Sequence, residues 1–175
     1  YNKLDSGGFR VNSNGNKLSL TLMVNKENQS RVIAAGLIAK QLGNVGISVQ
    51  VDEVTFAQYN ARLKSNNYQL YLGEVRILNN MDVTPLVVPS GSAAHGVVEQ
   101  PVVSSVEGVI DTASVAYANL SELIGGFYGG KSTVADIATG VQTAMPIIPL
   151  CFRNGILFYD EEISGNISAS LSDVF

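Results

Sequence analysis

Residues 18–75 have the sequence LSLTLMVNKENQSRVIAAGLIAKQLGNVGISVQVDEVTFAQYNARLKSNNYQLYLGEV, in which strand-like and helix-like spacings of apolar residues alternate. The first part predicts a strand, because apolar residues occupy every second position: Leu18, Leu20, Leu22 and Val24. The next part predicts a helix that begins at a cap, Asn28 or Ser30, and ends at Gly43 and Gly46. The apolar stripe of this helix comprises Ala34, Ile38 and Leu42, widened by Ile33 and Leu37.

The second half of this stretch repeats the strand–helix order and adds a third strand. Strand spacing returns at Ile47, Val49 and Val51. Thr55 and Gln58 then have the spacing of a capping box, which begins a helix carrying Phe56, Tyr59 and Leu63. Asn66-Asn67 ends that helix, and Tyr68 opens the third strand. The order β-α-β-α-β with short connections predicts an α/β fold, a mainly parallel sheet with helices on both faces.

Composition and charge limit the possible functions. The chain has 175 residues, 46% hydrophobic and 15% charged, which is typical of a single globular domain that needs no disulfide or metal. A net charge of −4 with scattered Lys and Arg argues against nucleic acid as a partner. The apolar runs are too short for a membrane helix. The only cysteine, Cys151, lies in the apolar run IPLCF and is predicted to be buried.

Polar residues follow the third strand directly, and in parallel sheets ligands bind beyond the carboxyl ends of the strands. An extended peptide has two charged ends and a row of amides, which a carboxylate such as Asp82 and a guanidinium such as Arg76 suit. Glu74 is a second candidate carboxylate, and Asn80 lies among them. The alternative is that Arg76 pairs with Asp82 or Glu74 at a solvent-exposed rim.

The loop PSGSAAHG, residues 89–96, adds two candidate ligand contacts, Ser92 and His95. Its glycines and small residues permit close approach of backbone N–H groups to a ligand. The alternative interpretation is an exposed, turn-rich connection. We expect no metal site, because His95 is the only histidine and no cysteine or pair of carboxylates is near it in sequence.

Residues 18–75 resemble the carboxy-terminal lobe of bacterial extracellular solute-binding proteins of family 5, the receptors of peptide ABC importers. The resemblance lies in the asparagine-led turn, the helix ending in QLGNVGI, the FAQYNARL helix and the YQLYL strand. The tail MPIIPLCFRNGILFYDEEISG resembles the segment that leads back to the other lobe, and GEVRILNNMDVTPLVVPSGSAAHG resembles a Gram-positive subgroup. Asp82 matches the first Asp of the family's D-x-x-D-P run, whose carboxylate can hold a peptide's α-amino group, whereas Thr84 replaces the second.

The resemblance implies a periplasmic-binding-protein-like type II lobe without catalytic activity or cofactor. Residues 1–175 would be a single α/β domain excised from a two-lobed receptor, with an incoming helix end and turn at 1–16 and the lobe at 17–175. The implied partners are a peptide or peptide-like solute, the missing N-terminal lobe and an ABC permease. The implied location is the extracellular face of the membrane, through a lipid anchor, or the periplasm. Self-association is predicted, since an excised lobe exposes apolar surface.

Two alternative functions remain open at this point. Gly125–Ser132, GGFYGGKS, fits the nucleotide-binding pattern G-x-x-x-x-G-K-[ST], which requires a strand before it and a helix after it. The preceding SVAYANLSELIGG has helical spacing, so we prefer a glycine-rich turn between two helices, the second capped by Thr133. The other alternative is a stand-alone interaction domain of the same fold.

The two ends of the chain carry weaker signals. Residues 4–9, LDSGGF, predict the end of a helix, and Asn14-Gly15 predicts a turn. Near the other end, residues 145–152 predict a strand interrupted by Pro146 and Pro149, and Asn154-Gly155 predicts a hairpin.

Overall fold

A computed structural model describes residues 1–75, 83–88, 91, 93–95 and 112–151. The chain forms two compact units, Tyr1–Glu74 and Val75–Phe175, and each contains its own hydrophobic core. The expected single domain over residues 1–175 stays a prediction.

The chain begins with a hairpin, so the predicted helix end at residues 4–9 is wrong. Strand β1 (Lys3–Leu4) pairs antiparallel with β2 (Arg10–Val11). The Asp5 carboxylate closes the turn by accepting hydrogen bonds from the N–H groups of Gly7 and Phe9, at 2.9 and 2.8 Å. Asp side chains stabilise turns in this way, and the same Gly-rich composition also marks helix ends. The turn predicted at Asn14-Gly15 is confirmed, with a φ of 79° at Gly15.

Three strands form the sheet of the first unit, and their order confirms the α/β prediction. The elements are β3 (Ser19–Asn25), α1 (Gln29–Asn44), β4 (Ser48–Val54), α2 (Phe56–Lys64) and β5 (Leu70–Tyr71). Strand β3 lies in the centre and pairs in parallel with β4 on one side and β5 on the other. Pairing runs from Ser19 opposite Ser48 to Asn25 opposite Val54. Strand β5 is shorter than predicted.

The helix boundaries follow the local sequence signals. The Asn28 side chain accepts the N–H of Arg31 at 3.1 Å, and Thr55 and Gln58 form the predicted capping box. Helix α1 ends in a Schellman motif at Gly46, whose φ is 83°, with Ile47 N–H donating to the Leu42 carbonyl at 3.0 Å. Asn66, with a φ of 52°, takes the equivalent position after α2.

The two helices cover opposite faces of the sheet, as predicted. On the α1 face, buried Leu22, Val24 and Leu72 pack against Ala35. On the α2 face, Met23 and Val54 pack with Tyr59 and Leu63. The predicted widening of the α1 stripe is wrong, because Ile33 and Leu37 are 64% and 56% exposed. Phe56 is exposed as well, since it is the first residue of α2 and precedes the packed turn.

The described part of the second unit is helical. It contains α3 (Thr84–Val87), α4 (Thr112–Tyr128) and α5 (Val134–Ala144). Its core brings together Leu86, Val87, Leu120, Ile124 and Ala144. Gly140 faces α4, and a Cβ placed there would lie 2.9 Å from Leu123 Cδ1, so glycine permits the close approach of α4 and α5.

The described residues after α5 depart from the prediction. Residues 145–151 form no strand, and Pro146 and Pro149 lack the N–H groups that a strand would use in pairing. Cys151 is exposed rather than buried. Phe152 and the hairpin predicted at Asn154-Gly155 lie outside the described residues. Among helices in the described ranges, none is long and apolar enough to cross a membrane.

Candidate functional site

The carboxyl ends of β3, β4 and β5 meet at one edge of the sheet, which we call the carboxyl edge, residues 25–31, 54–56 and 72–74. Asn25, the last residue of β3, is the one polar or charged residue among those found buried in the described ranges. Its side-chain oxygen accepts the N–H of Glu27 at 3.1 Å, which turns the chain toward the start of α1. Polar side chains therefore replace the apolar ones of the sheet at this edge.

Arg31 and Glu74 form an ion pair across the carboxyl edge. Arg31 is the third residue of α1, and Glu74 follows β5 by three residues. Arg31 Nη2 donates to Glu74 Oε2 at 2.7 Å, and the two side chains are 23% and 41% exposed. The pair therefore joins two elements that are 43 residues apart in sequence and remains open to solvent.

Tyr59 holds the backbone that leads to Glu74. Its hydroxyl donates a hydrogen bond to the Leu72 carbonyl at 3.0 Å, in a buried position. Burial raises the pKa of Tyr59 to about 12, and the nearby Tyr71 adds to the rise. The phenol is therefore neutral at physiological pH and remains a donor. A Cβ at Gly73 would lie 2.9 Å from the Tyr71 ring, so glycine is needed for this packing.

A second carboxylate, Glu27, links two loops at the same edge. Its Oε2 accepts the N–H of Phe56 at 2.9 Å, at the first residue of α2. A carboxylate at a helix N-terminus satisfies a backbone donor and interacts favourably with the helix dipole. Glu27 therefore has a structural role that does not require a ligand.

The structure places two of the six predicted site residues. Glu74 lies at the carboxyl edge, and its ion-pair partner is Arg31 from α1. His95 is partly buried in the second unit. Arg76, Asn80, Asp82 and Ser92 lie outside the described residues, so their part in a site stays a prediction.

Arg31 is the residue that sequence reasoning missed. The sequence signal was present: a basic residue three positions after an Asn cap, immediately beyond the end of a core strand. A cation in the first turn of a helix is unfavourable with respect to the helix dipole, which makes such a residue unusual there. Its pairing with Glu74 became visible only when the register of β3 and β5 was known.

Two shallow cavities lie outside this edge. One, of about 300 Å³, is on the α2 face and is lined by Thr21, Asn66, Asn67 and the ion pair Asp52–Arg62. The other, of about 290 Å³, lies between α4 and α5 and includes Asn119, Asp136 and Thr143. Over the described ranges, no group of three His, Cys, Asp or Glu side chains is placed to hold a metal ion.

The first half of the nucleotide-binding pattern Gly125–Ser132 forms the last turn of α4, and its second half forms the turn that leads to α5. The pattern therefore joins two helices, as preferred from the sequence, whereas a phosphate-binding loop follows a strand. The Lys131 N–H donates to the Gly126 carbonyl at 2.8 Å, and Gly130 has a φ of 68°, which is a Schellman motif. The backbone N–H of Lys131 is therefore used to end α4, and the Thr133–Asp136 capping box begins α5.

Comparison with known proteins relates the chain to others through its fold. No family model and no curated protein sequence matches it. Among solved structures, it is similar to NikA from Brucella suis in complex with Fe(III)-EDTA. The TM-score is 0.53 at 14% identity, over 80% of this chain and 26% of that chain. The chain has a periplasmic-binding-protein-like α/β fold.

A second solved structure, the oligopeptide-binding protein OppA, matches with a TM-score of 0.44 and 12% identity, over 81% of this chain and 22% of that chain. The chain thus spans about a quarter of the length of each of these two proteins. At such identities the similarity concerns the fold alone.

Proposed function

We propose that this chain is a solute-binding domain that contributes one side of a ligand cleft in a larger two-lobed receptor. The observation that carries the proposal is the Arg31–Glu74 pair, which lies at the carboxyl edge of a parallel sheet, where α/β proteins bind ligands. The fold similarity to NikA, which was solved with Fe(III)-EDTA, a polycarboxylate chelate, supports a solute with carboxylate groups.

The more specific proposal is that the receptor belongs to an ABC-type peptide importer and acts outside the membrane. The sequence resemblance to family 5 supports this, as do the acidic and basic groups that suit the two ends of a peptide. In this proposal Asp82, Arg76, Asn80, Ser92 and His95 add contacts to those of Glu74. The chain would have no catalytic role and would deliver its solute to a permease.

Titration of the isotopically labelled chain with tri-alanine, followed by two-dimensional amide NMR, tests the proposal. We expect shifts concentrated at residues 25–31 and 72–74, with weak affinity because a second lobe would supply the remaining contacts. Maltose serves as a control solute without charge. Shifts with maltose and none with tri-alanine would contradict a peptide-binding function.

A further inference from the structure

We propose that the cavity on the α2 face binds a neutral ring that carries several hydroxyl groups, such as a monosaccharide. We call it the polar cavity; its volume is about 300 Å³, and its lining includes Thr21, Asp52, Arg62, Asn66, Asn67 and Gln69. This site goes beyond the proposed function, because its residues are separate from those of the carboxyl edge.

The polar cavity exists because α2 is shorter than the strand that precedes it. A helix of nine residues is about 14 Å long, whereas the seven residues of β4 extend over about 23 Å. Thr21 shares the α2 face with Met23, and Asp52 shares it with Val54, since alternate residues of a strand lie on the same face. The part of this face that α2 leaves open is therefore lined with polar side chains.

Gln69 contributes an amide that is already held in place. Its side-chain oxygen accepts the N–H of Thr21 at 2.7 Å, directly before the pairing of β3 with β5 begins at Leu22 and Leu70. This bond identifies the oxygen end of the amide, and the NH₂ end makes no hydrogen bond to a described residue. A ligand that accepts a hydrogen bond from this NH₂ group therefore meets a positioned donor, which lowers the entropic cost of binding.

Asn66 and Asn67 add two further amides beside the end of α2. Their backbone N–H groups donate to the carbonyls of Leu63 and Arg62, at 3.2 and 2.9 Å, and so end the helix. Both residues are exposed, and within the described ranges neither side-chain amide makes a hydrogen bond. The left-handed backbone of Asn66, with a φ of 52°, explains an asparagine there, whereas the helix end needs no amide at Asn67. Each amide offers a ligand both donors and an acceptor.

The two charged side chains of the polar cavity balance each other. Arg62 Nη1 donates to Asp52 Oδ2, and the two side chains are 38% and 32% exposed. Over the described ranges, this is the one hydrogen bond that either side chain makes, so the second carboxylate oxygen and the other guanidinium N–H groups are open to a ligand. A hydroxyl group can donate to Asp52 or accept from Arg62 while the ion pair persists. Neighbouring hydroxyl groups on an uncharged ring therefore match this mixture of donors and acceptors.

Amide NMR titrations of the whole labelled chain with D-glucose, D-galactose and D-mannose, each added separately, test the assignment. We expect saturable shifts at residues 21, 52 and 66–69 with at least one sugar, and a Kd on the order of 1–10 mM because the cavity is shallow. Tetrahydropyran, the sugar ring without its hydroxyl groups, is the matched control and should cause no shifts there. Saturable shifts with tetrahydropyran, or none with any of the three sugars up to about 100 mM, would overturn the inference.

Single substitutions then locate the bound sugar. Asn66→Gly and Asn67→Ala should each weaken sugar binding about 5-fold, because each removes the amide that would make a hydrogen bond to the ligand. Glycine replaces Asn66 because it keeps the left-handed backbone without strain. Asn44→Ala, at the exposed end of α1, is the matched control and should leave the affinity unchanged.

The polar cavity and the proposed function fail independently, because tri-alanine is followed at residues 25–31 and 72–74 and the sugars at residues 21, 52 and 66–69. If neither Asn66→Gly nor Asn67→Ala weakens sugar binding, or if Asn44→Ala weakens it equally, the sugar binds elsewhere and the inference is wrong. Loss of sugar binding in Asn67→Ala with unchanged tri-alanine shifts would support two separate sites. Amide spectra without ligand establish that each variant is folded, and either asparagine variant alone is sufficient for the test.

Discussion

At the scale of single residues, Tyr59 connects the hydrophobic core to the carboxyl edge. Its ring packs with Met23 and Leu63 beneath α2, and its hydroxyl reaches the Leu72 carbonyl beyond β5. The sequence predicted Tyr59 as a core residue of α2, and it is 5% exposed. Its hydrogen bond could not be predicted, because helix periodicity says nothing about which carbonyl a phenol will meet.

We expect Tyr59→Phe to lower the free energy of unfolding by about 1–3 kcal/mol, because the substitution leaves the buried Leu72 carbonyl without its donor. Urea denaturation followed by circular dichroism measures the change. Tyr1→Phe is the control, since Tyr1 is 53% exposed and should change stability by less than about 0.5 kcal/mol. Equal effects of the two substitutions would show that the hydrogen bond from Tyr59 makes no net contribution to the free energy of unfolding.

The raised pKa of Tyr59 gives this comparison a pH dependence. In the unfolded chain the phenol ionises near its ordinary pKa of 10.0, whereas in the folded chain it stays neutral up to about 12. The unfolded state therefore loses protons first, and stability falls as pH rises through this window. The advantage of the unaltered chain over Tyr59→Phe should shrink above pH 10, and an unchanged difference would contradict the pKa assignment.

At the scale of elements, we expect alanine substitutions at two glycines, one in the middle of α1 and one just after its end, to change the stability of the chain in opposite directions. Gly46 has a φ of 83°, and a Cβ there would lie 2.7 Å from the Gly8 carbonyl oxygen. We expect Gly46→Ala to destabilise the chain by at least about 1–2 kcal/mol, the cost of a left-handed conformation with a side chain. Thermal and urea unfolding measure the difference.

Gly36 provides the matched substitution within the same helix. It is exposed in the interior of α1, and a Cβ there would have no neighbour within 4 Å. Gly36→Ala should therefore stabilise the chain by about 0.5–1 kcal/mol, since alanine has the higher helix propensity. A loss of stability in both variants would mean that helix propensity does not decide the effect at Gly36.

The same elements show why some boundaries could be predicted and others could not. The cap at Asn28 and the capping boxes at Thr55 and Thr133 depend on residues three positions apart, so local sequence contains the whole signal. The hairpin of β1 and β2 was missed because Gly7-Gly8 is equally typical of a helix end. Ile33 and Leu37 were misplaced because α1 packs through Val32, Ala35 and Ile38, a neighbouring set with the same periodicity.

At the scale of the whole molecule, the sequence predicted only one of the two residues that form the ion pair at the carboxyl edge. Strand order placed the ends of β3 and β5 at one edge, and Glu74 was predicted there. The structure pairs it with Arg31. Arg76, which the sequence offered as an alternative partner two residues away, lies outside the described residues. A contact between elements 43 residues apart depends on the parallel register, which local patterns do not determine.

The division into two units gives a prediction about folding. Both faces of the β4-β3-β5 sheet are covered within Tyr1–Glu74, by α1 and by α2. Over the residues that the structure describes, the two cores involved contain none beyond Leu72. We therefore expect a fragment of residues 1–74 to fold, with the marginal stability usual for a chain of this size. Circular dichroism should show helix and strand and a cooperative thermal transition.

Within this fragment, Gly46→Ala should lower the free energy of unfolding by the same amount as in the whole chain. The atoms that a Cβ at Gly46 would meet, in Leu4, Gly8 and Arg10, all lie in the first unit. A fragment that is unfolded while the 175-residue chain is folded would contradict the prediction. That result would favour a single cooperative domain over residues 1–175, in which the sheet requires the second unit to fold. A folded fragment would place the Arg31–Glu74 pair on an independently folding sheet, and its binding of tri-alanine could then be measured without the second unit.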